Sequence, residues 1–251
     1  MDFPLPAWVY TGIGAAAGLG LALGGYIYAS LWPGSTIFGR ALTAPARPGE
    51  LALTFDDGPN PAWTPRLLDL LAANDVRATF FLIGKFAEAE PELVRRIAGA
   101  GHAIGNHSWS HPNLARTAAT KIRDELARTN SALEQIAGQP VRLFRPPYGA
   151  RRPATFKIAR SLGLTPVLWN AMTTDWREPS ADRIAGALSR KTDRLTRRGQ
   201  AVNIVLHDGS HRGLGANREP SVNAAAQLIA RYKETHRFVT IDEWTKDGEG
   251  S

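Results

Sequence analysis

The chain has 251 residues, of which 43% are hydrophobic and 21% charged, and its formal charge is +7. That balance is globular and not disordered, and the length suits one large domain or two small ones. No cysteine is present, which excludes disulfides, thiolate nucleophiles and thiolate metal sites.

The first segment is unlike the rest. No charged residue occurs from Phe3 to Gly39. Its centre, Ala7 to Trp32, runs 26 residues, longer than the ~20 that span a bilayer as helix. Trp8 and Tyr10 stand at one end and Tyr26, Tyr28 and Trp32 at the other, as aromatics do at the two membrane interfaces. Gly14/Gly18 and Gly20/Gly24 would permit close helix packing. A cleaved signal peptide would need a basic leader and a shorter apolar stretch. Residues 1–39 are therefore expected to be an N-terminal membrane helix. Residues 40–50, with Pro45, Pro48 and Gly49, read as a linker. A domain over 51–244 and a polar tail over 245–251 follow.

From Leu51 the periodicity alternates. Strands are expected at Leu51–Phe55, Ala78–Ile83, His102–Gly105, Arg142–Phe144, Thr165–Trp169, Val202–Leu206 and Phe238–Ile241. Helices are expected at Thr64–Ala73, Glu90–Ala100, Ala118–Ala137, Ala154–Leu162, Ala181–Thr196 and Ser221–Lys233. Seven strands alternating with helices imply a parallel α/β sheet, doubly wound or closed as a barrel. The excess of positive charge gathers at Arg151-Arg152 and between Arg190 and Arg198. The second run is broken by Asp193 and carries no interleaved aromatic for base stacking. It reads as a solvated face, and no nucleic acid is expected as a partner. Nothing in the sequence indicates an oligomeric state.

The unusual polar residues fall just after strands. Asp56 and Asp57 follow the first, His107 and His111 ("NHSWSH") the third, and "RPPYG" from Arg145 the fourth. "TTDW", with Asp175 and Trp176, lies past the fifth, and "LHDG", with His207 and Asp208, ends the sixth. In parallel α/β folds these strand ends share the face where active sites form. His107 and His111 are four apart and would face one way on a helical turn that ends before Pro112. Two imidazoles and one carboxylate leave room for water and substrate, as in catalytic zinc sites. One of the two aspartates would ligate, and the other would be a general base on a water whose pKa the ion brings towards ~7. His207 suits general-acid duty towards a leaving nitrogen. Arg145 could pair with Asp175 and hold the catalytic aspartate. Tyr148 and Trp176 suit the walls of a sugar-sized pocket, and Leu206 is taken with them as substrate-binding.

"TFDDGP", "HSWSH", "RPPYG", "TTDW" and "LHDG", in that order over about residues 50–244, resemble the polysaccharide deacetylase family of carbohydrate esterases. The resemblance implies a distorted barrel of seven βα units and removal of N-acetyl groups from N-acetylglucosamine glycans, peptidoglycan or chitin-like. It implies Asp56 as base, Asp57, His107 and His111 as metal ligands, and His207 as acid oriented by a carboxylate. Arg145 would position the base with Asp175 behind it, and the Tyr148 amide would help hold the oxyanion. The cofactor implied is one divalent ion, zinc first, with cobalt, manganese or nickel open to the same ligands. Two departures, Met172 where the family often has Asp and Val205 where it has Leu, adjoin the pocket and bear on substrate preference. The alternatives are a deacetylase or deformylase of a lipid-linked sugar, a non-haem iron oxygenase, and a catalytically silent glycan-binding module. Arg40 and Arg47 would hold the domain in the cytoplasm, whereas family substrates lie outside. The domain is read as periplasmic or exterior, with Met1–Pro6 inside.

Overall fold

The protein is described by a computed structural model over residues 20–246. At its centre lies β1 (Glu50–Gly58), buried from Leu51 onward. A strand covered on both faces reads as a near-continuous apolar run, which is how "LALTF" reads. Around it lie β2 (Thr79–Leu82), β3 (Ala103–Asn106), β4 (Leu143–Phe144), β5 (Thr165–Pro166), β6 (Ala171–Met172) and β7 (Val202–His207). Every pairing is parallel, in the order β5-β4-β3-β2-β1-β7-β6, and β8 (Arg237–Phe238) pairs with the start of β1. The helices are α1 (residues 20–31), α2 (Thr64–Ala73), α3 (Gly84–Ala89), α4 (Pro91–Gly99), α5 (Ala119–Ala137), α6 (Pro153–Ser161), α7 (Ala181–Arg197), α8 (Glu219–Tyr232) and α9 (Ile241–Lys246).

The two-residue period of a strand sorts side chains to opposite faces. Leu51, Leu53 and Phe55 of β1 join Val202, Ile204 and Leu206 of β7 in the main core. There they meet Leu67 and Leu71 of α2, Leu188 of α7 and Leu228 of α8. Each such side chain contributes about 1.5–3 kcal/mol on full burial. Thr54, Asp56, Asn203, Val205 and His207 face the other way. Leu206, expected at the substrate, therefore lies in the core, and Val205 takes the cavity-facing place.

The sheet curls without closing. Its edge strands β5 and β6 come from one short stretch, residues 165–172. The seam beside it is filled by residues 41–45, read from the sequence as linker. Leu42 N donates to Pro166 O and Leu42 O accepts from Leu168 N, both at 2.8 Å. Asn203 Nδ2 donates to Thr43 O at 2.9 Å, and Ala201 N to Pro45 O at 3.0 Å. A distorted barrel results, its gap sealed by a segment that precedes β1.

Helix α1 stands out from this body. Residues 20–28 are exposed and entirely apolar or glycine apart from the tyrosine hydroxyls, with Leu21 78% accessible. Its C-terminal turn is docked by Arg151, which is fully buried. The guanidinium donates to the carbonyls of Trp32 at 2.6 Å, Ser35 at 3.0 Å and Gly149 at 3.1 Å. Ser30 O, a carbonyl of the last turn of α1, accepts from Arg151 N at 3.0 Å, so one orphan group of the helix end is satisfied. No helix among the described residues is long and apolar enough to cross a membrane. Half of the 26-residue apolar segment, residues 7–19, lies outside the described residues.

Candidate active site

A bulge places the two aspartates. The register of β1 against β2 shifts between Asp56 and Gly58, and Asp57 takes φ 71°. Bulges re-aim side chains beside active sites, and here both carboxylates face one cavity where regular alternation would part them. Gly209 of the "LHDG" stretch packs directly on this turn. A Cβ there would lie 2.0 Å from Asp57 O, so a side chain is excluded by contact.

His107 and His111 reach the same cavity from the loop after β3. The expected helical turn is absent. Ser108 and His111 have φ of 64° and 62°, and side chains hold the reversal. Asn106 Oδ1 accepts from Ser108 N at 2.9 Å, and Ser108 Oγ from His111 N at 3.1 Å. Glu125 of α5, itself buried, accepts from Ser110 N and Oγ at 2.8 Å each. Of the five positive-φ non-glycine residues among the described residues, Asp57, Ser108, His111 and Tyr148 belong to this rim. Such strained conformations concentrate at functional sites.

Asp57, His107 and His111 are buried, and their ligand atoms lie within 4.8 Å of one another. Asp57 Oδ1 is 3.0 Å from His111 Nε2 and 3.5 Å from His107 Nε2. It has no hydrogen-bond donor despite its burial. His107 Nδ1 donates to Arg145 O at 2.8 Å, which leaves the Nε2 lone pair for the cavity. Burial alone would raise the Asp57 carboxyl, and the imidazoles of His107, His111 and His211 beside it outweigh this and hold it well below the usual range. Converging lone pairs around an orphaned carboxylate oxygen fit a divalent cation. The set can therefore hold a metal.

Asp56 and His207 flank that group, each fixed by a charged partner. Arg145, fully buried, donates from Nη1 to Asp56 Oδ1 and Thr54 Oγ1 at 2.7 Å. Its Nη2 donates to Asn203 Oδ1 at 3.3 Å, and Phe81 lies under the guanidinium at 4.0 Å. His207 Nδ1 donates to Asp175 Oδ1 at 2.9 Å, and His207 N to Asp175 Oδ2 at 2.9 Å. Ser221 Oγ adds a bond to Asp175 Oδ2 at 2.7 Å. Burial would lower the His207 value, but the Asp175 charge and hydrogen bond push it up to about 9. The expected pairing of Arg145 with Asp175 is thus replaced by two separate pairs: Arg145 serves Asp56, and Asp175 serves His207. Nor does Asp208 hold His207. Asp208 is buried against Thr64 Oγ1, and burial raises its carboxyl to about 7.

Tyr148 and Trp176 are half-exposed walls of the resulting cavity of about 590 Å³, with Met172 and Val205. Trp176 meets the His207 ring edge-on at 4.8 Å. Thr54, Asn203, Ser221 and His211 were not singled out in the sequence. The first two are inward positions of strands whose partners no local pattern reveals. His211 repeats after His207 the four-residue spacing of His107 and His111, a signal that was available. A second cavity, about 530 Å³, lies at the opposite strand ends around Arg77, His102 and Arg142. No metal-capable group lies there among the described residues.

The sequence profile of the family described as polysaccharide deacetylase matches residues 43–167. A peptidoglycan-N-acetylglucosamine deacetylase of Bacillus cereus is 37% identical over 205 residues, covering 81% of this chain and 71% of that protein. A chitooligosaccharide deacetylase of Azorhizobium caulinodans is 37% identical over 175 residues, 69% of this chain and 80% of that one. The crystal structure of the peptidoglycan N-acetylglucosamine deacetylase Bc1960, bound to a naphthyl N-hydroxybenzamide, superposes with a TM-score of 0.74. It shares 36% identity and covers 81% of this chain and 91% of its own. The chain belongs to the polysaccharide deacetylase family.

Proposed function

We propose that the protein is a metal-dependent hydrolase that removes N-acetyl groups from N-acetylglucosamine units of a glycan, peptidoglycan or chitin-like. The observation that carries this reading is the separation of roles around one cavity. Three buried ligands converge, and a carboxylate and an imidazole stand beside them, each held by its own partner. A silent binding module would have no use for both pairs. An iron oxygenase would use the ligand set but not the paired Asp56 and His207.

Zinc is the proposed ion; cobalt, manganese and nickel suit the same donors. When bound, the cation polarises the acetyl carbonyl and acidifies the attacking water. Asp56, aligned by Arg145, takes the proton of that water. The Tyr148 amide is the proposed donor to the oxygen where charge develops. His207 gives its Nε2 proton to the departing nitrogen as the C–N bond breaks, and acetate leaves with the oxygen that water supplied. Asp175 keeps Nδ1 occupied and the ring charged until that step.

The apolar, exposed face of α1 and the uncharged stretch before it support anchoring in a membrane, because a helix apolar all round needs burial in something. The domain is proposed to face the periplasm or exterior, where peptidoglycan and chitin lie. A lipid-linked sugar is the second reading. It is favoured by the docking of α1 against the loop that carries Tyr148, which keeps the cavity near the anchor. Acetate release from N-acetylated oligosaccharides, peptidoglycan and lipid-linked sugars, measured on the full chain, decides between them. Release from polymer supports the first reading, release from the lipid-linked sugar alone supports the second, and release from none contradicts both.

A further inference from the structure

The cavity carries more positive charge than its chemistry uses. Among the described residues that line it, the only carboxylates are Asp56 and Asp57, both part of the catalytic group, whereas Arg177, Arg212 and Arg218 line it as well. None of these three guanidiniums forms an ion pair among the described residues; Glu178, next to Arg177, pairs with Arg183 at 3.3 Å. Arg177 follows Trp176, whose ring meets His207 edge-on, and its amide donates to Thr174 O at 2.9 Å. Arg212 follows His211, whose Nε2 is 3.3 Å from Tyr148 Oη, and its amide donates to Ser210 Oγ at 3.3 Å. One arginine thus sits on the general-acid side and the other on the Tyr148 side. Burial and the Asp57 charge raise the Tyr148 phenol, and the Arg212 charge opposes them. Lys85 Nζ donates to His211 O at 3.5 Å and adds a further cation behind that loop. Arg218 is tied back, its Nε donating to Gly209 O at 2.6 Å, whereas Arg177 and Arg212 are exposed.

Cations gathered without counter-ions repel one another, and an arriving oxyanion relieves that repulsion. The planar fork of arginine matches a carboxylate or a phosphate with two parallel bonds. A neutral N-acetylglucosamine chain offers such a rim only hydroxyls. We propose that the cavity takes an anionic N-acetylated glycan, with Arg177 and Arg212 holding a carboxylate or phosphate borne on the unit beside the one deacetylated. A carboxylate on a neighbouring sugar and the diphosphate of a lipid-linked sugar share this chemistry. The inference deepens the proposed deacetylase function and rests on that reading of the cavity.

The test uses the full chain loaded with zinc, in the parent and in Arg177→Gln, Arg212→Gln and the double variant. Both side chains are exposed, so neither change removes packing. Arg218 is left in place because it holds the loop. Two substrate pairs differ in charge. One is an N-acetylglucosamine oligosaccharide with a carboxylate on the neighbouring sugar, set against its carboxamide. The other is diphosphate-linked N-acetylglucosamine, set against an uncharged glycoside. The parent should favour the anionic member of at least one pair by roughly tenfold in kcat/KM at low ionic strength, as two partly screened ion pairs would give. Added salt should shrink the preference, and the double variant should bring the ratio near one. A preference confined to the carboxylate pair supports a polymer-type glycan, and one confined to the diphosphate pair supports a lipid-linked sugar. Equal kcat/KM within both pairs in the parent, or a preference that survives in the double variant, would overturn the proposal. Calorimetric binding of the same four compounds separates this from the deacetylase reading. A parent that releases no acetate yet binds the anionic member more tightly would sink that reading and keep the anion site. Equal binding without turnover would sink both.

Discussion

His207 keeps its proton because Asp175 lies 2.9 Å from Nδ1 and opposes the effect of burial. The folded value of about 9 lies above the ordinary 6.5, so the stability this pair adds is complete below pH 6.5 and is lost as pH rises through about 9. A general acid is spent when it deprotonates, so activity should fall on the alkaline side as His207 titrates. A bound cation nearby draws that limb to lower pH. Asp175→Asn removes the charge, leaves burial in place, and should move the limb acidward by about 1–3 units, the usual effect of a close opposite charge. The dependence of kcat/KM on pH in the two proteins measures it. A limb unmoved by the substitution would mean that His207 is not the acid. Asp56, Asp57, His107 and His111 could all be named from residue type and position after strands. The separation of Arg145 from Asp175 could not, because it depends on which inward strand positions, Thr54 and Asn203, meet at the centre of the sheet.

Among the elements, the long periodic ones were legible, as were the short strands β4, β5 and β8 at their apolar runs, whereas β6 and α3 were not. Helix α5 shows Ile122, Leu126 and Leu133 buried on one stripe. Strand β6 spans two residues, and α3 spans six beginning with glycine, too little chain for either period to register. Spacing alone predicts a helical turn at His107–His111, because it cannot show that Ser108 and His111 are left-handed. Arg151 shows in the sequence only as part of a basic pair, yet it is buried against the carbonyls of Trp32 and Ser35, just past the end of α1. Removing it should free that helix end. Hydrogen bonds to a charged donor contribute about 1.5–3 kcal/mol each before compensation. Amide hydrogen exchange over residues 30–38 should therefore accelerate in Arg151→Ala while β1 and β7 keep parental protection. Equal exchange in the two proteins would show that α1 is held by something else.

For the whole molecule, the decisive regularity is parallel topology. Five segments distant in sequence bring their polar residues to one set of strand ends, and the cavity of about 590 Å³ opens there. That convergence was legible because a parallel α/β sheet presents its strand ends on one face. The sealing of the seam by residues 41–45 was not, since Pro45, with Pro48 and Gly49 after it, signals only an interruption of regular structure. If the domain faces outward, alkaline phosphatase fused after Ser251 should be active in cells, because that reporter works only when exported. An inactive fusion, with a cytoplasmic reporter active at the same position, would reverse the orientation and favour the lipid-linked sugar.

The central claim is that Asp57, His107 and His111 hold an ion while Asp56 does acid–base chemistry without ligating it. The most direct measurement pairs metal content with acetate release from an N-acetylated oligosaccharide in the parent, His107→Ala and Asp56→Asn. The parent should bind one equivalent of zinc and lose activity when stripped. His107→Ala should lose metal and activity together, since at most two ligands remain. Asp56→Asn should retain the full equivalent and lose activity by roughly 10²–10⁴-fold. Full activity in stripped parent, stoichiometric metal in His107→Ala, or near-parental turnover in Asp56→Asn would contradict the account.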